Sequence, residues 1–300
     1  MNVTAAEIQE PRVIGVRERM AAFAELTKPR IAFMLVLTAA AGFYLGNEGN
    51  FEFGLFANSM IGIALLAFGV ATLNQYIERR TDLLMTRTAG RPIPTGRVTP
   101  NEALVFGILQ CVVSELYLFF LVNPLTAVLG LTVIVGYVLL YTPLKTRTSA
   151  CTAIGALPGA MPPLMGWTSA SNEITLGAWA LFAMLFLWQF PHFLAIAWMY
   201  REDYAKAGIK MLPVVEPSGR LTARQIVLFT VMLVPVSLAP YFLGFAGPVF
   251  LIGAALLGIW FLIESLRTAR AKTTLKARRL LLVSVLYLPL ILALAVLDHH

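Results

Sequence analysis

The sequence predicts an all-α membrane protein, a nine-helix transmembrane bundle with its N-terminus in the cytoplasm and its C-terminus outside. Three observations carry that prediction. Of the 300 residues, 58% are hydrophobic and only 13% are charged, against about 25% charged in a soluble domain. Nearly uncharged runs of about 18 residues or more recur along the chain, which is enough to cross a bilayer as helix. The Lys and Arg residues, moreover, are confined to alternate connections between those runs.

The chain reads as one domain, 1–300, opening with a polar cytoplasmic tail at 1–27. That tail lacks the apolar stretch and small-residue cleavage site of a signal peptide. Nine apolar runs follow, at about 31–47, 55–77, 102–122, 124–142, 151–169, 176–199, 222–243, 247–264 and 280–297. The residues before span one and the loops after spans two, four, six and eight hold all 23 Lys and Arg. Such residues accumulate on the cytoplasmic side, and one missed or invented span would scramble the alternation. Topology thus accounts for the formal charge of +7. The expected partner is a lipid bilayer, and no nucleic acid is needed.

An echo within the chain points to two parallel repeats, about 28–101 and 145–220. Thr27-Lys28-Pro29-Arg30 precedes two spans and then an acidic element. Tyr141-Thr142-Pro143-Leu144-Lys145 does the same. Cys111 and Cys151 lie in apolar surroundings without metal-ligand spacing, and read as small buried hydrophobes.

The chemistry concentrates at the edge of span two. Asn74, Glu78 and Asp82 recur at every fourth residue, so a helix places them on one face. At ~1.5 Å rise per residue that face spans ~12 Å, suited to a metal-bridged polyphosphate rather than one small cation. Oxygen ligands of this kind suit Mg²⁺, and Arg87 and Arg91 follow closely to neutralise phosphate charge. After span six, Glu202, Asp203 and Lys206 form a second set, and Lys145 after span four is within reach of the same place. A topology signal alone gains little from Asp or Glu. No phosphate-binding glycine loop, zinc spacing or Ser/His/Asp arrangement is present.

Within the spans, Trp188-Gln189-Phe190-Pro191-His192-Phe193 stands out. Pro191 is expected to kink its helix and free carbonyls, and the aromatic faces either pack or shield a cation. Glu115, the other intramembrane ionisable group, either pairs with a neighbour or lines a pathway.

NQYIERRTD at 74–82, with Met85, Arg87-Thr88 and Arg91-Pro92, then YTPLK at 141–145, resembles the intramembrane UbiA-type prenyltransferases. Trp188-Gln189 with Pro191-His192-Phe193, then Asp203-Tyr204, Ala207-Gly208 and Met211-Leu212-Pro213, is similar to the heme-modifying branch of that family. The likeness runs from Thr27 to the last span. It implies that the bundle surrounds a central cavity capped by the loops after spans two and six. It also implies Mg²⁺-dependent transfer of a farnesyl group from farnesyl diphosphate to a vinyl group of heme B. Asn74, Glu78, Asp82 and Asp203 would then hold Mg²⁺. Arg87, Arg91, Lys145 and Lys206 would bind the diphosphate. Asp82, Asp203 and Lys145 would serve catalysis directly. His192 would contact heme, at iron or a propionate, although an interior hydrogen bond is the plainer reading of a lone membrane histidine.

Quinone-forming relatives carry Asp where Glu78 stands, and carboxylates where Tyr200 and Tyr204 stand, so the number of metal ions stays open. The resemblance further implies a multi-pass protein of the bacterial inner membrane with its site toward the cytoplasm. Its product would pass to a downstream heme-modifying enzyme or to heme–copper oxidase assembly. Two other readings remain: a prenyltransferase for a hydroxybenzoate-type quinone precursor, and a transporter of an anionic substrate. A transporter must open to both sides, whereas the polar groups here gather at one.

Overall fold

The computed structural model describes residue 8 and residues 10–299. Of the expected tail, residues 1–7 and 9 lie outside the described residues. The rest of the tail contains helix α1 (Val16–Leu26), which a two-residue break separates from α2 (Pro29–Leu45). Helix α3 runs from Phe53 to Asp82, five residues past the expected end of span two, so the Asn74/Glu78/Asp82 face lies on continuous helix. Turns over 83–98 lead to α4 (Pro100–Leu121), which starts at a capping box. The Thr99 hydroxyl accepts from the Glu102 N–H, and the Glu102 carboxylate accepts from the Thr99 N–H.

Helix α5 (Pro124–Ile134) continues into a π-helical segment, Val135–Tyr141, and the short α6 (Thr142–Leu144). Next come α7 (Cys151–Gly159), α8 (Met161–Ser171) and α9 (Leu176–Met199), which runs unbroken through Pro191. Short helices α10 (Arg201–Lys206) and α11 (Leu212–Val215) form the following loop. Helices α12 (Arg220–Ser237), α13 (Ala239–Phe242), α14 (Pro248–Ala271) and α15 (Thr274–Leu297) complete the chain. Among the described residues there is no strand.

Seven stretches are long and apolar enough to cross a membrane: Phe53–Asp82, Pro100–Leu121, Pro124–Leu144, Leu176–Met199, Arg220–Phe242, Pro248–Ala271 and Thr274–Leu297. The chain is therefore a multi-pass membrane protein. Taken together, α1 and α2 would make an eighth, bent by 45° at their break. The run expected at 151–169 falls short of the same measure because Ala160 divides it into helices of 9 and 11 residues.

Two apolar cores organise the bundle. Helix α9 is the hub of the larger core, packed against α8, α12 and α15. Helices α3, α4 and α5 with the π segment build the smaller one. Helices α2 and α8 join the halves at very close range. A Cβ on Gly42 would collide with the Pro163 carbonyl, and one on Gly166 with the Ala39 carbonyl. Small residues let helix backbones meet in this way, which matters where water supplies no hydrophobic drive between helices. Cys111 and Cys151 are free and buried. Glu115 lies against Gly130 of α5, its buried Oε1 without a partner among the described residues.

The α2–α8 contact yields a stability prediction. Overpacking typically costs about 1–3 kcal/mol, so Gly166→Ala is expected to lower the thermal midpoint in detergent. Gly54→Ala, at a position with nothing within 4 Å, is expected to leave it unchanged.

Candidate active site

The last two turns of α3 present three polar side chains toward the connections rich in Lys and Arg, and a cation meets each one. The Lys28 ammonium donates to Asn74 Oδ1 at 2.8 Å. The Lys145 ammonium donates to Glu78 Oε1 at 2.5 Å. Arg91 Nη1 donates to both Asp82 oxygens, at 2.8 and 2.7 Å, and lies 3.9 Å from Glu78 Oε2. Asp82 has no exposed side-chain surface, and the side chains of Glu78, Lys145 and Arg91 are 11%, 15% and 18% exposed. Buried charges of this kind persist only when paired.

Local sequence explains each position. A break at Thr27-Lys28 turns Lys28, which has a left-handed backbone (φ 49°), toward α3. Gln75 donates to the Leu26 carbonyl at 3.0 Å and so holds the end of α1. Ala22 and Leu26 of α1 pack on Ile93, Val98 and Ala103, while Arg97 pairs with Glu25 at 2.9 Å. Arg91 is brought back over α3 by the turns at 83–98, and the Thr88 hydroxyl donates to the Asp82 carbonyl at 3.0 Å. Lys145 follows the π segment. Thr142 accepts from Asn74 Nδ2 at 3.2 Å and donates to the Tyr137 carbonyl at 2.8 Å. Lys145 Nζ lies 4.4 Å from the centre of the Tyr141 ring.

These surroundings set the two lysines apart. Burial first, and then the nearby Arg91, push the Lys28 ammonium down to about 7. Burial also works against Lys145, but Glu78 outweighs it and holds that ammonium well above its ordinary value.

The loop after α9 closes over this edge. Met85 shares an apolar cluster with Ala207, Ile209 and Met211, and the Lys210 N–H donates to the Lys145 carbonyl at 2.7 Å. The Thr86 hydroxyl donates to Asp203 Oδ1 at 3.4 Å. Asp203 therefore belongs to the same edge, though no cation of the α3 face touches it. Lys206 is mostly exposed and lies 3.8 Å from Asp203. Arg87 sits 5.3 Å over the Tyr200 ring, outside the buried pairs. His192 is not part of this edge either. It lies between α9 and α15, with Nδ1 2.8 Å from Ser284 Oγ.

Among the described residues, no three His, Cys, Asp or Glu side chains come together as a metal site. Glu78, Asp82 and Asp203 are instead tied to Lys145, Arg91 and Thr86. The donor chemistry still fits Mg²⁺, which takes oxygen ligands and needs only one or two carboxylates when phosphates complete its shell. A cavity of about 690 Å³ opens at the opposite end of the bundle, lined by Leu45, Trp167, Leu176, Phe245 and others. Its lining comes from the connections poor in Lys and Arg, so it is not the central cavity capped by the loops after spans two and six that the resemblance implies.

Sequence reasoning missed Lys28 and Thr142. The internal echo held the signal for both, since it aligned Thr27-Lys28-Pro29 with the segment ending at Lys145. The two lysines in fact reach the same face of α3, four residues apart.

Residues 35–291 match the UbiA prenyltransferase family model. The protoheme IX farnesyltransferase of Solibacter usitatus is 48% identical over 286 residues, covering 92% of this chain and 98% of that one. Two solved structures share the fold at low identity. A structure concerned with digeranylgeranylglyceryl phosphate synthase has a TM-score of 0.79 at 16% identity, covering 94% of this chain and 98% of its own. A UbiA homolog from Archaeoglobus fulgidus, bound to GPP and Mg²⁺, has a TM-score of 0.67 at 17% identity, covering 91% and 99%. Family match and curated relative extend over nearly the whole length, and the chain belongs to the UbiA prenyltransferase family.

Proposed function

We propose that this chain transfers the farnesyl group of farnesyl diphosphate to a vinyl group of heme B, giving heme O and releasing diphosphate. The observation that carries the reading is the buried face of α3, where three cations surround two carboxylates and an amide beside the loop bearing Asp203. The name of the Solibacter relative supports the acceptor. The GPP and Mg²⁺ bound to the Archaeoglobus homolog support the donor class and the ion.

In this mechanism Asn74, Glu78, Asp82 and Asp203 would hold Mg²⁺, which supplies charge neutralisation to the diphosphate. Lys28, Lys145 and Arg91 stabilise the negative charge that grows on the leaving oxygen, and Arg87 and Lys206 add positive charge for binding the diphosphate. Fixed donors in a water-poor site are worth far more than in bulk solvent. The C1–O bond breaks with its electron pair leaving on the diphosphate. The vinyl π electrons then form the new carbon–carbon bond to C1. Water captures the cation left beside the porphyrin and loses a proton, giving the hydroxyethylfarnesyl side chain. His192 orients the porphyrin.

For topology we favour nine crossings, α7 and α8 together counting as one, with the N-terminus and the site on the cytoplasmic side of a bacterial inner membrane. The confinement of every Lys and Arg to alternate connections supports this. The product would go on to a heme-modifying enzyme or to heme–copper oxidase assembly.

Membranes containing the protein, given heme B, farnesyl diphosphate and Mg²⁺, should yield a heme heavier by one farnesyl and one hydroxyl group in mass spectrometry. Prenylation of 4-hydroxybenzoate instead would overturn the acceptor. Asp82→Ala is expected to slow turnover by about 10²-fold or more, the scale of losing one electrostatic support. Unchanged turnover would remove the site assignment.

Lys28 gives a pH test. With its ammonium at about 7, it is mostly neutral at pH 8 and mostly charged at pH 6, and a bound diphosphate favours the charged form. Binding of Mg²⁺–diphosphate should therefore take up more protons in the wild type than in Lys28→Met at pH 8, with little difference at pH 6. Calorimetry in buffers of different ionisation heat reads this directly.

A further inference from the structure

One polar cluster inside the bundle lies outside the charged edge: Trp188 and His192 on α9 with Ser284 on α15. Ser284 makes three contacts. Its hydroxyl lies 2.7 Å from the Leu281 carbonyl and 2.8 Å from His192 Nδ1, and its own carbonyl accepts from Trp188 Nε1 at 2.8 Å. The Trp188 ring, one helical turn before His192, stacks on the imidazole with centroids 4.6 Å apart and planes inclined by 25°.

The serine hydroxyl has a single proton. Donated to His192, it would leave the Ser284 and Leu281 oxygens facing each other at 2.7 Å with no hydrogen between them. Only one assignment satisfies both contacts. Ser284 donates to Leu281, and His192 Nδ1–H donates to Ser284. In the neutral ring the other nitrogen, Nε2, then carries the lone pair, and it makes no hydrogen bond among the described residues. Stacking on Trp188 holds the ring plane, and Trp188 is in turn anchored on the same serine.

We propose that Ser284 is a positioning residue, which locks His192 as its Nδ1–H tautomer and so presents the Nε2 lone pair as a ligand for the iron of a porphyrin substrate. The iron-ligand half rests on the heme reading above, and the tautomer half stands on hydrogen bonding alone. A second hydrogen bond from the far nitrogen is the usual means of fixing a metal-binding imidazole, and it also raises its basicity.

The test has two arms, both on the full-length protein in detergent. In the first, histidine ¹⁵N spectra without heme, assigned by comparison with His192→Gln, report the tautomer. Nδ1–H is expected in the wild type and in Ser284→Thr, and a mixture of tautomers in Ser284→Ala. A wild-type Nε2–H form, or an Nδ1–H form unchanged in Ser284→Ala, overturns the positioning role. The wild-type spectrum alone decides the tautomer even if Ser284→Ala fails to fold. In the second arm, ferric heme is titrated optically. Ser284→Ala should bind about 10-fold more weakly, as expected when a ligating histidine loses its partner. It should also have an altered Soret band, and Ser284→Thr should restore both. A heme spectrum and affinity unchanged in His192→Ala would overturn the ligand half and the heme role of His192, while the tautomer result would stand.

Discussion

The pairing of Glu78 with Lys145 and of Asp82 with Arg91 is the constraint on which the rest depends. These four charges come from the end of one membrane helix and from two loops, and they are largely shielded from water. Leaving any one alone in such a place is strongly unfavourable. The loops that deliver Arg91 and Lys145 are therefore fixed by the same contacts that build the site. Lys28 is the adjustable member. Neutral, it leaves the two pairs balanced, and charged, it gives the cluster one surplus positive charge. A fully ionised diphosphate ester with one divalent cation carries a single net negative charge, which is the complement of that surplus.

Around this edge the bundle supplies rigidity in two different ways. Toward the opposite face, backbone meets backbone, as at Gly42 and Gly166, where no side chain intervenes. At the basic end the connections are longer, and the turns after α3 pack on the loop after α9 through Met85, Ile209 and Met211. Sites are commonly built this way, on loops held by a stiff scaffold. The π segment before Lys145 belongs to the second class. Such segments are rare and favour functional positions, and here one ends next to Thr142, the hydrogen-bond partner of Asn74.

The positions of the apolar runs were legible because hydropathy and charge are properties of the local chain, and the runs fall on helix apart from short breaks. The α3 face was legible for a related reason. A four-residue period has one meaning on a helix, and Asn74, Glu78 and Asp82 do share a side. What was not legible came from long-range geometry. Nothing local to Lys28 says that a left-handed break will aim it at Asn74, 46 residues away. Nor does composition tell that Arg91 is buried on Asp82 while Arg87, four residues earlier, rests on a tyrosine ring in the open. The break at Ala160 was hidden in the same way, because apolar content is continuous through it while the helix is not.

Depth separates the two halves of the proposed chemistry. His192 lies seven residues before the end of α9, roughly 10 Å inside the charged edge at 1.5 Å per residue. Ser284 lies ten residues into α15, which begins at a basic connection, and so sits at roughly 15 Å by the same measure. In a hydrocarbon core about 30 Å thick, both are near the middle, among aromatic and aliphatic side chains. The reacting carbon of farnesyl diphosphate is bonded to the diphosphate and must remain near the charged edge. On the proposed reading, a porphyrin bound at His192 would lie deeper in the bundle than the diphosphate. Such an arrangement would keep the strongest charges at the rim and leave the acceptor in apolar surroundings, where the allylic cation of the proposed reaction would be sheltered from bulk water.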